Sequence, residues 1–325
     1  MRRREFIASL VGVAGWPLAV RAQQSALPMI GFLASSSADA PSGPVEAIHL
    51  ALKEAGFEVG RNVRIEYRYA DYRLERLPEL AAELVNLPVA VLITSGGATT
   101  TLAAKAATNS TPIVFAPVPD PVRSGLVASL NRSGGNITGV AALTLVLDPK
   151  RLELLNDLAP GGAVGVLLNP ARPDTGIQVE GIKKAADVIG RSLVFAYATT
   201  PEQINAAFPS FAKQSVVGVL VAADAFFSSH RKQVVTLINR HRWPAIYQWR
   251  DFAEIGGLGS FGPNLFDTYK QAGVFVARIL NGEKPSNLPV VQPTKFELVL
   301  NLKTARELGL TISPTLLARA DEVIE

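Results

Sequence analysis

The sequence predicts an α/β protein of two lobes, each a parallel sheet flanked by helices. Short β-branched runs alternate with segments of helical period, the pattern of strands joined by crossover helices. The series occurs twice, and the chain past its first 22 residues is too long for a single typical core. Apolar residues make up 48% and charged residues 18%, the balance of a well-buried globular chain.

The expected strands of the first lobe are Met29 to Leu33, Val63 to Tyr67, Val89 to Thr94, Ile113 to Ala116 and Ile137 to Val140. Those of the second are Ala163 to Leu168, Leu193 to Ala196, Gly218 to Val221 and Ala245 to Tyr247. Between them, Leu74, Leu77, Leu80, Ala81, Leu84 and Val85 recur at helical spacing. Asp148-Pro149 reads as the cap of a helix that turns Leu152, Leu155 and Leu158 inward. The tail holds Leu258 to Phe261, a helix from about Leu265 to Leu280, and Phe296 to Asn301, too little for a third domain. The expected division is therefore residues 27–142 plus 258–284 for the first lobe and 143–257 plus 285–325 for the second. Three crossings, near 142, 257 and 286, make a hinge, and Pro285, Pro289 and Pro293 stiffen the last toward an extended form.

Residues 1–22 read as an address. Arg2, Arg3 and Arg4 precede an uncharged run from Ile7 to Val20, and Val20-Arg21-Ala22 places small residues at the cleavage positions. Arg3-Arg4-Glu5-Phe6-Ile7 has the twin-arginine order. The run is shorter than the roughly 20 residues that span a bilayer, so a cleaved export signal is expected rather than an anchor. The leader carries most of the formal +4 charge, through Arg2, Arg3, Arg4 and Arg21 against Glu5. The remainder is near neutral with no Lys/Arg cluster, which argues against a nucleic-acid or polybasic membrane role. The absence of cysteine excludes disulfides, thiol catalysis, cysteine zinc sites and a lipoprotein anchor together.

Enzyme motifs find little footing. Gly257-Leu-Gly259-Ser-Phe-Gly262 matches the dinucleotide fingerprint by letter, but the strand lies inside the match instead of before it, so its glycines read as close packing. There is no P-loop lysine motif, and Ser260 lacks the glycine spacing of a nucleophile elbow. His49, His230 and His241 never pair at metal-ligand spacing, and His230 and His241 are expected in solvent.

Loops that leave the carboxyl ends of strands are more informative, because open α/β sheets bind ligands there. Thr94-Ser95-Gly96-Gly97-Ala98-Thr99 leaves a buried strand and opens a helix. Its free amides, with the Ser95 and Thr99 hydroxyls, suit an anionic group such as a carboxylate, although an ordinary capped turn has the same letters. Ser35-Ser36-Ser37 holds the matching position after the first strand. Asp120, between prolines, is either an N-cap or the partner of a ligand ammonium. Asn169, Asp224 and Tyr247 end second-lobe strands, with Phe226, Phe227 and Trp249 nearby.

Several segments in order resemble one family. They are Ile30-Gly31-Phe32, Asp120-Pro121-Val122 through Gly125-Leu126-Val127, Gly135-Asn136-Ile137-Thr138-Gly139-Val140, Ile279 through Pro285, and Phe296 through Ala305. Together they are similar to the exported substrate-binding proteins of ABC importers with the type I periplasmic-binding fold, in the tryptophan/tyrosine-type branch. The resemblance implies a two-lobed, triply crossed fold and a protein that binds amino acids, often aromatic, for a permease in the inner membrane. Carried over by position, Ser35, Ser36, Ser37, Ser95, Gly96, Gly97 and Asp120 hold the ligand's charged groups from the first lobe. Asn169, Asp224 and Tyr247 close over it from the second, with the bulky Trp249 and cationic Arg250 expected at the mouth. Tyr247-Gln248-Trp249-Arg250-Asp251 departs from the family's small or acidic segment, which admits an aromatic carboxylate without an amine as ligand.

The expectation is thus a periplasmic, soluble solute-binding monomer without cofactor, catalysis or nucleic-acid partner, in which ligand shifts an open-to-closed equilibrium. The alternatives are an exported cofactor-dependent enzyme and a sensory module serving a membrane receptor.

Overall fold

The computed structural model describes residues 27–325 apart from 40, 41, 132, 134 and 173. The export signal expected at residues 1–22 lies outside the described residues.

The first sheet is built from β1 (Met29–Ala34), β2 (Arg64–Tyr69), β3 (Val89–Ser95), β4 (Ile113–Val118) and β5 (Ile137–Ala141). They are all parallel in the order β2-β1-β3-β4-β5. Helices α1 (Gly43–Glu54), α2 (Leu77–Val85) and α3 (Ala98–Ala107) form the crossovers. Every residue of β1 is buried, as befits a central parallel strand covered on both faces. Its side chains alternate between two cores: Ile30, Phe32 and Ala34 join one, Leu33 the other.

The second lobe repeats the plan. It contains α4 (Thr144–Leu158), β6 (Ala163–Leu168), α5 (Thr175–Val188), β7 (Ser192–Tyr197), α6 (Pro201–Lys213) and β8 (Val216–Val221). There follow α7 (Ala225–Ser229), α8 (Arg231–Arg240), β9 (Ala245–Tyr247), α9 (Arg250–Glu254) and β10 (Gly259–Pro263). After α10 (Leu265–Leu280) come β11 (Phe296–Asn301), α11 (Leu302–Leu308), α12 (Pro314–Ala318) and β12 (Glu322–Ile324). The sheet runs β12-β11-β10-β9-β8-β6-β7, with only β10 and β11 antiparallel. In both sheets the strand direction of growth reverses beside the first strand, between β1 and β3 and between β6 and β8. Those switch points leave a crevice at the carboxyl ends of the strands.

Two of the three crossings differ from expectation. The sequence places Leu258 to Phe261 in the first lobe, but β10 lies in the second sheet, with Gly259 and Ser260 in register with Ile246 and Tyr247 of β9. A Cβ on Gly262 would stand 2.1 Å from the Gln248 carbonyl, so the glycine permits the close approach. The chain therefore crosses after Pro263, and α10 packs on α1, where Gly273 sits against Ala51 and Ile48. Residues 285–291 also stay with the first lobe. Ser133 Oγ donates to the Pro285 carbonyl and Thr138 Oγ1 to that of Leu288, each at 3.0 Å. Val291 bridges beside β5 by accepting from Ala141 N at 2.8 Å and donating to Gly139 O at 3.1 Å. The third crossing is thus residues 292–295. The first is at Ala142 and Leu143, with Leu143 at φ 53°.

Asp148-Pro149 is not a helix start. α4 begins at Thr144 and carries Pro149 inside it. Asp148 and Arg151 are both fully buried one turn apart and pair at 2.5 Å. The Arg151 guanidinium also donates to the carbonyls of Thr144 (3.1 Å) and Phe261 (2.7 Å), and Gln178 Nε2 donates to Asp148 at 2.6 Å. This network ties the residues that follow the first crossing to those that precede the second.

Candidate functional site

Between the two sheets lies a cavity of about 660 Å³ whose walls come from both lobes. Its size is that of a small-molecule site. The loops at the two switch points line it, because each leaves a carboxyl end facing the crevice.

In the first lobe, the turns after β1 and β3 are bound to each other: Ser35 N donates to Ser95 O at 3.1 Å. Gly96 has φ +106°, and a Cβ there would stand 1.9 Å from Ser35 Oγ, so only glycine fits. Gly97 opens α3 with no side-chain cap, and Gly97, Ala98 and Thr99 line the cavity. An uncapped helix start carries free amides and the positive end of the helix dipole. Ser35, Ser36, Ser37, Ser95 and Gly96 line the same wall. Ser95 Oγ is hydrogen-bonded to Tyr269 of α10 at 2.5 Å, and burial pushes the Tyr269 phenol up to about 12, which keeps it neutral. Beyond β2, Asp71 and Tyr72 adopt positive φ and donate backbone N–H to Ser36 O and Ser35 O. Tyr72 thereby reaches over the cleft to the His230 ring, centroids 5.7 Å apart.

The second-lobe wall is charged and interlocked. Asp224 caps α7 by accepting from Phe226 N (2.8 Å) and Phe227 N (3.3 Å), and it accepts from Asn169 Nδ2 at 3.1 Å. Arg172 grips Asp174 with two hydrogen bonds of 2.8 and 2.7 Å and donates to Ala223 O at 2.8 Å. Burial acts to lower the Arg172 guanidinium, but the hydrogen bonds to Asp174 and the charge of Asp224 outweigh it and hold it above its ordinary value. Gln248 clasps the Asp224 backbone from both sides, accepting from its N–H at 3.0 Å and donating to its C=O at 2.9 Å. Phe226 and Trp249 add aromatic surface.

Of the residues expected at the site, Asn169, Asp224 and Trp249 line the cavity with the seven first-lobe turn residues. Asp120 and Tyr247 do not. Asp120 closes its own loop, accepting from Arg123 N at 3.0 Å and pairing with its guanidinium. Tyr247 is wholly buried, stacked on Phe252 at 4.6 Å, because strand alternation sends the next residue, Gln248, toward the crevice. Arg250, expected at the mouth, pairs with Glu322 and Glu254 instead. His230 and His241, expected in solvent, are half-buried against Phe226 and Trp243. Sequence reasoning missed Tyr72, Arg172, Arg231, Gln248 and Asp251, which follow strands or open helices without a motif. Among the described residues, no three of His, Asp and Glu gather as metal ligands, and no helix is long and apolar enough to cross a membrane.

Two like lobes, hinged by three crossings and enclosing a cavity at their facing strand ends, define a two-lobed ligand-binding protein. The chain belongs to the ABC transporter substrate binding protein family, whose model matches residues 30–324. It is 27% identical over 264 residues to a tyrosine-binding protein of Clostridioides difficile, covering 80% of this chain and 74% of that one. Among solved structures, a conserved domain protein from Vibrio cholerae superposes with TM-score 0.84 at 27% identity, covering 91% of this chain and 99% of that one. The ABC domain from Streptococcus pneumoniae in complex with L-Trp gives 0.83 at 24% identity with the same coverage. The ligand-free, open structure of a substrate binding protein from Clostridium difficile gives 0.67 at 25%, again with that coverage.

Proposed function

We propose that this protein captures an aromatic α-amino acid between its lobes outside the cytoplasm and presents the closed form to the permease of an ABC importer, altering no covalent bond. The observation that carries this is the composition of the cavity between the sheets: an uncapped helix start and serine turns on one wall, aromatic rings and charged groups on the other. The amides and hydroxyls of Ser35, Ser36, Ser37, Ser95, Gly96, Gly97 and Thr99 take the polar end of the ligand. Tyr72, Phe226 and Trp249 stack on its ring, while Asn169 and Asp224 form the floor. The tyrosine and tryptophan named for the relatives fit that division. The leader pattern of residues 1–22 supports export, and the reading takes the chain as a monomer.

The cleft is closed in this reading. Tyr72 meets His230 across it. The fit to the L-Trp complex exceeds that to the open structure although identity and coverage are alike, which supports lobes arranged as in the bound state. Ligand then shifts the equilibrium through contacts that only the closed form makes. Titration calorimetry with L-tyrosine, L-tryptophan and the other common amino acids tests it. A ligand at a hundred times its dissociation constant raises stability by about 2.7 kcal/mol, read as a thermal shift. A chain stripped of bound solute that responds to none of these amino acids ends the reading.

A further inference from the structure

The charged side chains around the cavity sort by whether the protein already satisfies them. Arg172 and Asp174 satisfy each other, and both Asp224 oxygens face internal donors. They hold the wall in shape and have little left to offer a ligand. Glu75, among the described residues the only charged one of the first lobe that lines the cavity, is exposed on a short turn and solvated. Two groups are different. Arg231, at the start of α8, lines the cavity with its Nη1 bound to Ser228 O at 3.1 Å, while its Nε is buried and has no partner. Asp251, in the first turn of α9, lines the cavity with no ion pair. Its carboxyl is raised chiefly by loss of water, and the nearby Arg231 charge only partly offsets this. The two opposite charges are thus close enough to be felt by each other, yet stand apart. An arginine with an unpartnered Nε–H and a dehydrated carboxylate thus line one space, and each is costly while unpaired. A molecule carrying both signs on adjacent atoms pairs both.

We infer that Arg231 and Asp251 are the second lobe's head-group contacts, Arg231 taking the α-carboxylate and Asp251 the α-ammonium of an amino acid ligand. This rests on the amino-acid reading above and adds the residues that enforce it. The head group is then held by amides and hydroxyls of one lobe and by full charges of the other, so neither lobe alone binds it well and closure follows. A carboxylic acid without the amine leaves Asp251 unpaired and is rejected.

The test is calorimetry on the full chain with its tightest amino acid, the deaminated acid and the decarboxylated amine of the same side chain. Arg231→Gln is expected to weaken the amino acid roughly ten- to hundredfold while the amine binds as well as to the wild type or better. Asp251→Asn weakens the amino acid by a like factor and relieves the rejection of the deaminated acid, which binds more tightly than to the wild type. Arg231→Lys and Asp251→Glu, which keep the charge if the first pair fail to fold, restore part of the loss while preserving the preference for the zwitterion. Wild-type affinity in folded Arg231→Gln and Asp251→Asn overturns the assignment and leaves the amino-acid reading standing. An equal loss on all three compounds also overturns it, since the damage is then structural. A wild-type chain that binds no amino acid overturns both.

Discussion

The two lobes share a strand order and a switch point but equip them with opposite chemistry. The first faces the cavity with serine hydroxyls, backbone amides and a single exposed carboxylate. The second faces it with Arg172, Asp174, Asp224, Arg231 and Asp251, and behind them stands the wholly buried Asp148–Arg151 pair. The same topology thus supplies a place to bind, while loop residues supply what is bound. Backbone amides cost nothing to orient once the turn is made. Charged walls need a scaffold of further charges and hydrogen bonds, which explains why the second lobe carries the extended polar network.

The comparison breaks most severely at Arg151. Replacing it by Met leaves Asp148 buried without its cation, and urea unfolding is expected to lose about 3–5 kcal/mol, whereas Asp148→Leu/Arg151→Met together recovers most of it. No loss in the single variant means that the second lobe does not depend on its ion network. Next is Gly96→Ala in the first lobe. The added Cβ meets Ser35 in a positive-φ turn, so a cost of about 1–3 kcal/mol and weaker binding are expected from thermal unfolding and calorimetry. Asp120→Ala removes a loop hydrogen bond and a solvent-exposed ion pair, together about 1 kcal/mol, and leaves affinity unchanged. Smallest is Tyr247→Phe. Its hydroxyl is buried with no partner, so stability stays within about 0.5 kcal/mol of wild type or rises, again with unchanged affinity. Weakened binding in either of the last two variants would return that residue to the site.

Those two residues show where sequence reading stops. Asp120 and Tyr247 follow strands just as Ser95 and Asp224 do, and nothing local distinguishes them. At β9 the decision is one of parity, and a single-residue shift exchanges the buried tyrosine for the glutamine that faces Asp224. Arg231 and Asp251 carried no signal because each merely opens a helix, and the packing of α8 beside α9 brings them together. Likewise Asp148-Pro149 imitates a cap, and only the burial of Arg151 shows that the pair belongs inside α4.

The sequence by itself determined the elements: hydrophobic runs of strand length, helical periods between them and the glycines that force tight turns, all products of short-range sterics and burial. Tertiary structure alone decided which sheet receives Gly259–Pro263 and Val291, which end-of-strand residues face the crevice, and which charges find partners. Those outcomes depend on pairings between residues far apart in the chain, and backbone hydrogen bonds and buried charges favour whichever neighbour satisfies them, irrespective of the local pattern.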